Sequence, residues 1–302
     1  MNELLHDVRR VMIIRDPKTR SVGEVRDRDA ALCDMIESLH PRACTKRPRV
    51  VLFDFDGTLS LIRSGWVDVM VPMMVEILAG LRTGESEAEL RSIVREYVAR
   101  LTGEQTIYQM IELARQVGLR GGKPLDPRAY KSLYLDRLLE RIRHRREELR
   151  HGKTSPEKYL VPGARALLCA LKDRGLRLYC ASGTDQSSTL EEAEFLDVAR
   201  YFDGGVFGAL DDYKSFSKEI LIRSIVSSME CRGEELLGFG DGYVEIKNVK
   251  DAGGVAVGVA TAEPECQAVD PWKRERLVRV GADFIVPNFL CYEPLLRILS
   301  LE

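Results

Sequence analysis

The chain has 302 residues, 45% of them hydrophobic and 30% charged, a balance that excludes wholesale disorder and collagen-like architecture and predicts about two domains. Forty-five Lys and Arg against 47 Asp and Glu give a formal net charge of −2. That gives no electrostatic reason to expect nucleic acid or an anionic membrane surface as a partner. The seven cysteines include no C-x-x-C pair and, being odd in number, cannot all pair within one chain, which predicts a reducing, cytoplasmic setting. The N-terminal stretch MNELLHDVRRVMIIRD carries charges where a signal peptide needs an apolar run. The longest apolar stretch, Val67 to Leu78, is broken by Asp68, Pro72 and Glu76. Neither a signal peptide nor a membrane span is expected.

Residues 1–48 read as an N-terminal extension to which no function attaches: a short strand at Val11–Ile14, a short helix at Arg28–Leu39 and a linker over Pro41–Pro48. From Arg49 the run RVVLFDF, too short for a helix and ending in Asp-Gly-Thr, predicts a buried strand opening into a loop. Residues 64–153 show helical rather than strand periodicity. Leu90, Ile93, Val94, Tyr97, Val98 and Leu101 share one helical face, and Ile107, Met110, Ile111, Ala114 and Val117 share another. The last helix of this block opens at Asp126-Pro127 and ends in the basic run RIRHRREELRHGK, which reads as a solvated face spaced by Glu140, Glu147 and Glu148.

After Val161-Pro162-Gly163 helix and strand alternate. Helices are expected at Ala164–Lys172, Glu191–Val198 and Lys218–Met229. Strands are expected at Leu176–Ala181, Gly205–Phe207, Leu236–Phe239, Val255–Val259 and Phe284–Val286. Such alternation predicts a parallel sheet covered on both faces, an α/β core formed by residues 49–63 and 154–302 and interrupted by the helical block at 64–153.

Three strand ends and a lysine carry the candidate chemistry. In Asp54-Phe55-Asp56-Gly57-Thr58 the alternation of an extended chain puts Asp54 and Asp56 on one side. Two neighbouring carboxylates repel unless a cation neutralises them, and oxygen ligands without nearby His or Cys suit Mg²⁺ better than zinc. Ser182-Gly183-Thr184 offers a hydroxyl and open backbone N–H groups suited to phosphate oxygens. Gly240-Asp241-Gly242-Tyr243-Val244-Glu245 supplies further carboxylates. A lysine before the helix leading to Asp241 can neutralise a carboxylate and a phosphate together. Lys218 is preferred because it opens the helix directly, with Lys214 as the alternative.

At these residues the chain resembles the haloacid dehalogenase-like hydrolase superfamily, whose four motifs are matched in order by DFDGT, Ser182, Lys218 and GDGYVE. The resemblance spans about residues 49–290. It implies a Rossmann-like parallel-sheet core with an inserted all-helical cap domain. It further implies Asp54 as the nucleophile that forms an aspartyl-phosphate, Asp56 as general acid and then base, and Ser182 and Lys218 holding the phosphoryl group beside Gly57, Thr58 and Gly183. Mg²⁺ would be bound by Asp54, Asp56, Asp241 and Glu245. The family's last motif commonly ends in Asp where this chain has Glu245. The family's dehalogenase branch lacks the second Asp of the first motif, so Asp56 argues for phosphate-ester chemistry.

If the helical block is a cap, substrate selection falls to Arg63, Trp66, Gln105 and Gln109 and to the loop Thr102–Thr106; otherwise these are hinge and surface residues. Trp66 and VDVMVPMMVEIL read as core or as a homodimer contact. The expected activity is Mg²⁺-dependent hydrolysis of a small phosphorylated metabolite, a sugar phosphate or nucleotide. The alternatives are a phosphomutase of the same fold and a catalytically silent binding or regulatory protein.

Overall fold

The computed structural model describes residues 35–302 other than 42, 214, 216 and 229–231. The expected strand at Val11–Ile14, most of the helix expected at Arg28–Leu39, and Lys214 lie outside the described residues.

Among the described residues seven strands form one sheet: β1 (Glu37–Ser38), β2 (Val50–Phe53), β3 (Arg177–Asp185), β4 (Gly205–Ala209), β5 (Leu236–Gly240), β6 (Val255–Val259) and β7 (Phe284–Val286), in the order β1-β7-β6-β5-β2-β3-β4. All pairings are parallel except β1 with β7. The VVLF run of β2 is buried throughout because it is central, with Phe53 in register with Cys180 on one side and Phe239 on the other. Period-2 alternation divides its side chains. Val51 and Phe53 join the core beneath α5 (Ala164–Asp173) and α10 (Tyr292–Ile298), and Phe53 stacks on Phe239 at 4.7 Å between centroids. Val50 and Leu52 face Leu221, Ile222, Ile246 and Leu277 of α7 (Lys218–Ser228), α8 (Tyr243–Asp251) and α9 (Pro271–Arg279). The chain leaves β2 toward β3 on one side and returns to β5 on the other, so the C-terminal end of β2 is the switch point at which open α/β sheets form their crevice.

Between β2 and α5, the helix that leads into β3, lie α1 (Val67–Ala79), α2 (Glu87–Arg100), α3 (Thr106–Leu119) and α4 (Pro127–Arg150). Ser86 and Glu89 close a reciprocal capping box on α2. The Asp126 carboxylate accepts from the Arg128 N–H to start α4, with Pro127 at its first position. Val69, Met70, Met73, Met74 and Leu78 of α1 pack into this chain's own core. The fold is the expected Rossmann-like parallel sheet with an inserted helical cap. No helix among the described residues is long and apolar enough to cross a membrane.

Several elements differ from the sequence reading. Glu37–Ser38, expected in a helix, forms the antiparallel edge strand β1, since pairing with Phe284–Ile285 satisfies its backbone. The strand β3 runs past Ala181 to Asp185, so Ser182–Thr184 lie within it at an irregular register instead of following it. The next helix, α6 (Gln186–Phe195), starts earlier than Glu191, its polar first turn tied down by Thr189 Oγ1 donating to the carbonyls of Thr184 and Asp185. The basic end of α4 is not merely a solvated face. Arg145 donates to the carbonyls of Ile62 at 2.8 Å and Ser64 at 2.9 Å, and Arg146 and Arg150 both pair with Glu191 of α6. Three further helices, α8, α9 and α10, occupy segments for which no helix was expected.

Candidate active site

Asp54 follows β2 and continues its ladder, its N–H donating to the Phe239 carbonyl at 2.9 Å. Its side chain is buried, and Lys218 Nζ, at the first turn of α7, donates to Oδ1 at 2.7 Å. Burial pushes the Asp54 carboxyl up to about 7. Lys218 opposes that shift, and the charges of Asp241 and Asp56 add to it. Lys218 is equally buried and ion-paired with Glu245 as well, so one ammonium stands between two carboxylates.

Asp56 is held from the neighbouring strand. Ser182 Oγ and Thr184 Oγ1 donate to its Oδ2 at 3.1 and 2.8 Å, and the Thr184 N–H donates to Ser182 Oγ at 2.9 Å. The other oxygen, Oδ1, is buried without a hydrogen bond among the described residues and lies 3.8 Å from Arg63 Nε. The turn between Asp56 and Thr58 needs glycine twice over. Gly57 has φ +77°, and a Cβ there would lie 2.3 Å from Asp241 Oδ2. Thr58 Oγ1 accepts from the Asp241 N–H at 2.9 Å, so its hydroxyl joins the end of β2 to the end of β5.

Asp241 itself pairs through Oδ2 with Lys273 Nζ at 3.0 Å, and Lys273 also reaches Glu263 Oε1 at 3.0 Å. Arg63 is buried, with Nε and Nη2 donating to the two oxygens of Glu192 at 3.0 and 2.8 Å. Its fork is therefore engaged by an internal carboxylate on one edge. The helical cap comes down on this edge of the sheet: a Cβ on Gly183 would lie 2.6 Å from the Glu104 carbonyl oxygen. Gln105 Nε2 donates to the Tyr213 carbonyl at 3.0 Å, and Arg276 of α9 donates to the Ala99 carbonyl of α2. A cleft lies between cap and core. Asp54, Asp56, Ser182 and Lys218 line it from the core, and Trp66 and Gln109 from the cap.

Thus Asp54, Asp56, Gly57, Arg63, Ser182, Gly183, Lys218 and Asp241 meet at one edge of the sheet, and Glu245 joins them through Lys218. Thr184, Glu192, Lys273 and Tyr134, which the sequence reading did not select, belong to the same constellation. Thr184 sits in the quoted Ser-Gly-Thr run, but nothing local distinguishes Glu192 from Glu191 or Glu194, or Lys273 from the charged run around it.

A family model described as haloacid dehalogenase-like hydrolase matches residues 48–253. The chain belongs to the haloacid dehalogenase-like hydrolase family. No match was found among curated proteins. Among solved structures, this hydrolase is similar to a predicted phosphoglycolate phosphatase from Haemophilus somnus (15% identity, TM-score 0.54, covering 83% of this chain and 99% of that one). It is similar also to a protein assigned as a beta-phosphoglucomutase from Thermotoga maritima (19%, 0.50, 83% and 100%). A third is a haloacid dehalogenase family hydrolase from Deinococcus radiodurans with bound phosphate and sodium (16%, 0.50, 84% and 97%). At these identities the likeness is one of fold.

The residues present in this hydrolase fit a hard divalent cation in part. The Asp54 and Asp241 carboxylates interact across Gly57 and bring only oxygen donors, the set that Mg²⁺ takes together with water. No group of three or more His, Cys, Asp or Glu side chains suited to a metal occurs among the described residues. All four carboxylates expected as ligands already have protein partners, Asp54 and Glu245 with Lys218, Asp241 with Lys273, and Asp56 with Ser182 and Thr184.

Proposed function

We propose that this hydrolase is a Mg²⁺-dependent phosphatase acting on a small phosphorylated metabolite through an aspartyl-phosphate on Asp54. The observation that carries the reading is the pairing of a buried Asp54 with Lys218 at 2.7 Å, two residues before an Asp56 held by the hydroxyls of Ser182 and Thr184. A carboxylate nucleophile splits one hard displacement into two easier ones. In the first, Asp54 attacks phosphorus, the ester P–O bond breaks, and Asp56 gives its proton to the departing oxygen. In the second, Asp56 takes a proton from water, the water oxygen attacks phosphorus, and the bond to Asp54 breaks to free phosphate.

Lys218 offsets phosphoryl charge throughout, and Ser182 with the backbone at Gly183 and Gly57 orients the oxygens. Asp54 and Asp241 would hold Mg²⁺, which when bound supplies neutralisation of the phosphoryl charge. The helices between residues 64 and 153 act as the cap, with the core in residues 49–63 and 154–302. Enclosure beneath that cap favours a small sugar phosphate or nucleotide over a phosphoprotein. The test is phosphate release from a panel of phosphorylated metabolites with Mg²⁺, wild type against Asp54→Asn. Selective release that the variant loses supports the reading. Release unchanged in the variant removes the covalent step, and turnover that requires a bisphosphate activator identifies a mutase instead.

A further inference from the structure

Arg63 has more to offer the cleft than its pairing with Glu192 uses. Its Nε and Nη2 are fixed on Glu192, which is fully buried, while Nη1 makes no hydrogen bond among the described residues, and the side chain lines the cleft. A planar guanidinium pinned along one edge presents its remaining N–H groups in a fixed direction. The acids around it are shared with other arginines. Glu192 is shared with Arg146, 3.7 Å away, and Glu191 serves both Arg146 and Arg150. With Asp56, 3.8 Å from Arg63 Nε, three arginines face three carboxylates, so the donor left for the cleft is Arg63 Nη1 and not a surplus of charge.

Tyr134 of α4 is buried in the same wall, where it interacts with Arg63, and burial pushes its phenol up so that the hydroxyl keeps its proton and can donate. Gln109 and Thr106 add further polar groups to that wall. Arg63 Nε lies 3.8 Å from Asp56 Oδ1, which places this donor cluster beside the residue that meets the leaving oxygen in the mechanism above.

We infer that Arg63 and Tyr134 form a subsite for a second oxyanion, a carboxylate or a phosphate, carried by the leaving group of the substrate. The inference rests on the phosphatase reading and narrows its substrate to phosphate esters bearing another negative charge. A charge-assisted hydrogen bond to such a group in a desolvated pocket corresponds to a preference of about 10- to 100-fold over a neutral isostere.

The experiment compares kcat/KM for matched pairs: 2-phosphoglycolate against 2-hydroxyethyl phosphate for a carboxylate, and ethylene glycol bisphosphate against ethyl phosphate for a phosphate. Wild type is expected to prefer the charged member of at least one pair by 10-fold or more, and the preferred pair identifies the anion. Arg63→Met should bring that ratio near one by losing the charged substrate selectively. Tyr134→Phe, which removes one hydroxyl and little volume, should reduce it by a few fold and serves if Arg63→Met does not fold. A wild type indifferent within both pairs, or a preference that survives both substitutions, overturns the subsite. If no ester is hydrolysed the phosphatase reading fails by itself. Calorimetric binding of the same pairs to Asp54→Asn then decides the subsite, with tighter binding of the charged member supporting it and equal binding refuting it.

Discussion

The backbone carbonyl of Glu104, in the helical cap, lies where a side chain on Gly183 of the core would have to go, 2.6 Å from an ideal Cβ. Cap and core therefore meet backbone to backbone at the end of β3 that carries Ser182, and the obstructing atom is one that cannot rotate aside. Gly183→Ala is expected to lift the Thr102–Thr106 segment while leaving the sheet intact. The measurable outcome is a fall of about 10-fold or more in kcat/KM, together with faster proteolysis of the cap loop and a nearly unchanged melting temperature. Unaltered kinetics would show that the contact is dispensable for turnover.

This closure could not be read from residues in line, although much of the site could. The strand ends at Asp54, Ser182 and Asp241 stand out because buried β-runs end in small polar residues, a local pattern that survives without coordinates. The pairing of Glu192 with Arg63 does not, because Glu191, Glu192 and Glu194 are equivalent in sequence and only the docking of α6 buries one of them completely. The helix α8 begins inside the Gly240–Glu245 motif, where glycines and an aspartate read as a loop, and α9 is so charged that its single buried residue, Leu277, gives no periodic signal. The edge strand at Glu37–Ser38 is too short for alternation to register and exists through its partner on β7.

Removing the proposed nucleophile should separate activity from stability. Asp54→Asn keeps the shape of the side chain and is expected to lower turnover by more than about 1000-fold. In metal-free protein the variant should also gain stability with rising pH relative to wild type. The folded Asp54 carboxyl lies near 7, above the unfolded value of about 3.9, so between those values the unfolded chain has lost a proton that the native state retains. Wild-type stability falls as pH rises through that window, and asparagine has no proton to lose. Melting curves in EDTA between pH 4 and 8 test this; a difference in melting temperature that stays flat would place Asp54 in a more polar setting than its burial indicates.

Glu245 separates two roles that its position in the motif leaves entangled. Its carboxylate pairs with Lys218, the ammonium that also bonds Asp54. If it positions that lysine, Glu245→Gln lets Lys218 settle more tightly on Asp54 and lowers kcat by about 10-fold or more, while Mg²⁺ affinity stays within about threefold of wild type. A metal ligand would behave otherwise, with affinity falling at least as far as kcat. Titration of the cation by calorimetry, alongside steady-state kinetics, distinguishes the two.

The last carboxylate of the site has its own support, and that support predicts how metal binding responds to mutation. Lys273 Nζ bonds Asp241 Oδ2 and Glu263 Oε1, each at 3.0 Å, and the two acids raise its affinity for its proton, so it stays charged in the native protein. Since Glu263 already balances one unit of that charge, the ammonium acts on Asp241 chiefly by fixing the direction of its carboxylate. Groups that orient a metal ligand in this way typically change affinity by about 10- to 100-fold when removed. Lys273→Met, close in volume and without the donor, should therefore weaken Mg²⁺ binding by that factor. Glu263→Gln, which leaves the ammonium uncompensated beside Asp241, should weaken it too, through repulsion of the cation. Both affinities are read by direct calorimetric titration without substrate, so they do not depend on turnover. Tighter Mg²⁺ binding in Lys273→Met would mean that the lysine competes with the cation for Asp241, reversing the role assigned to it.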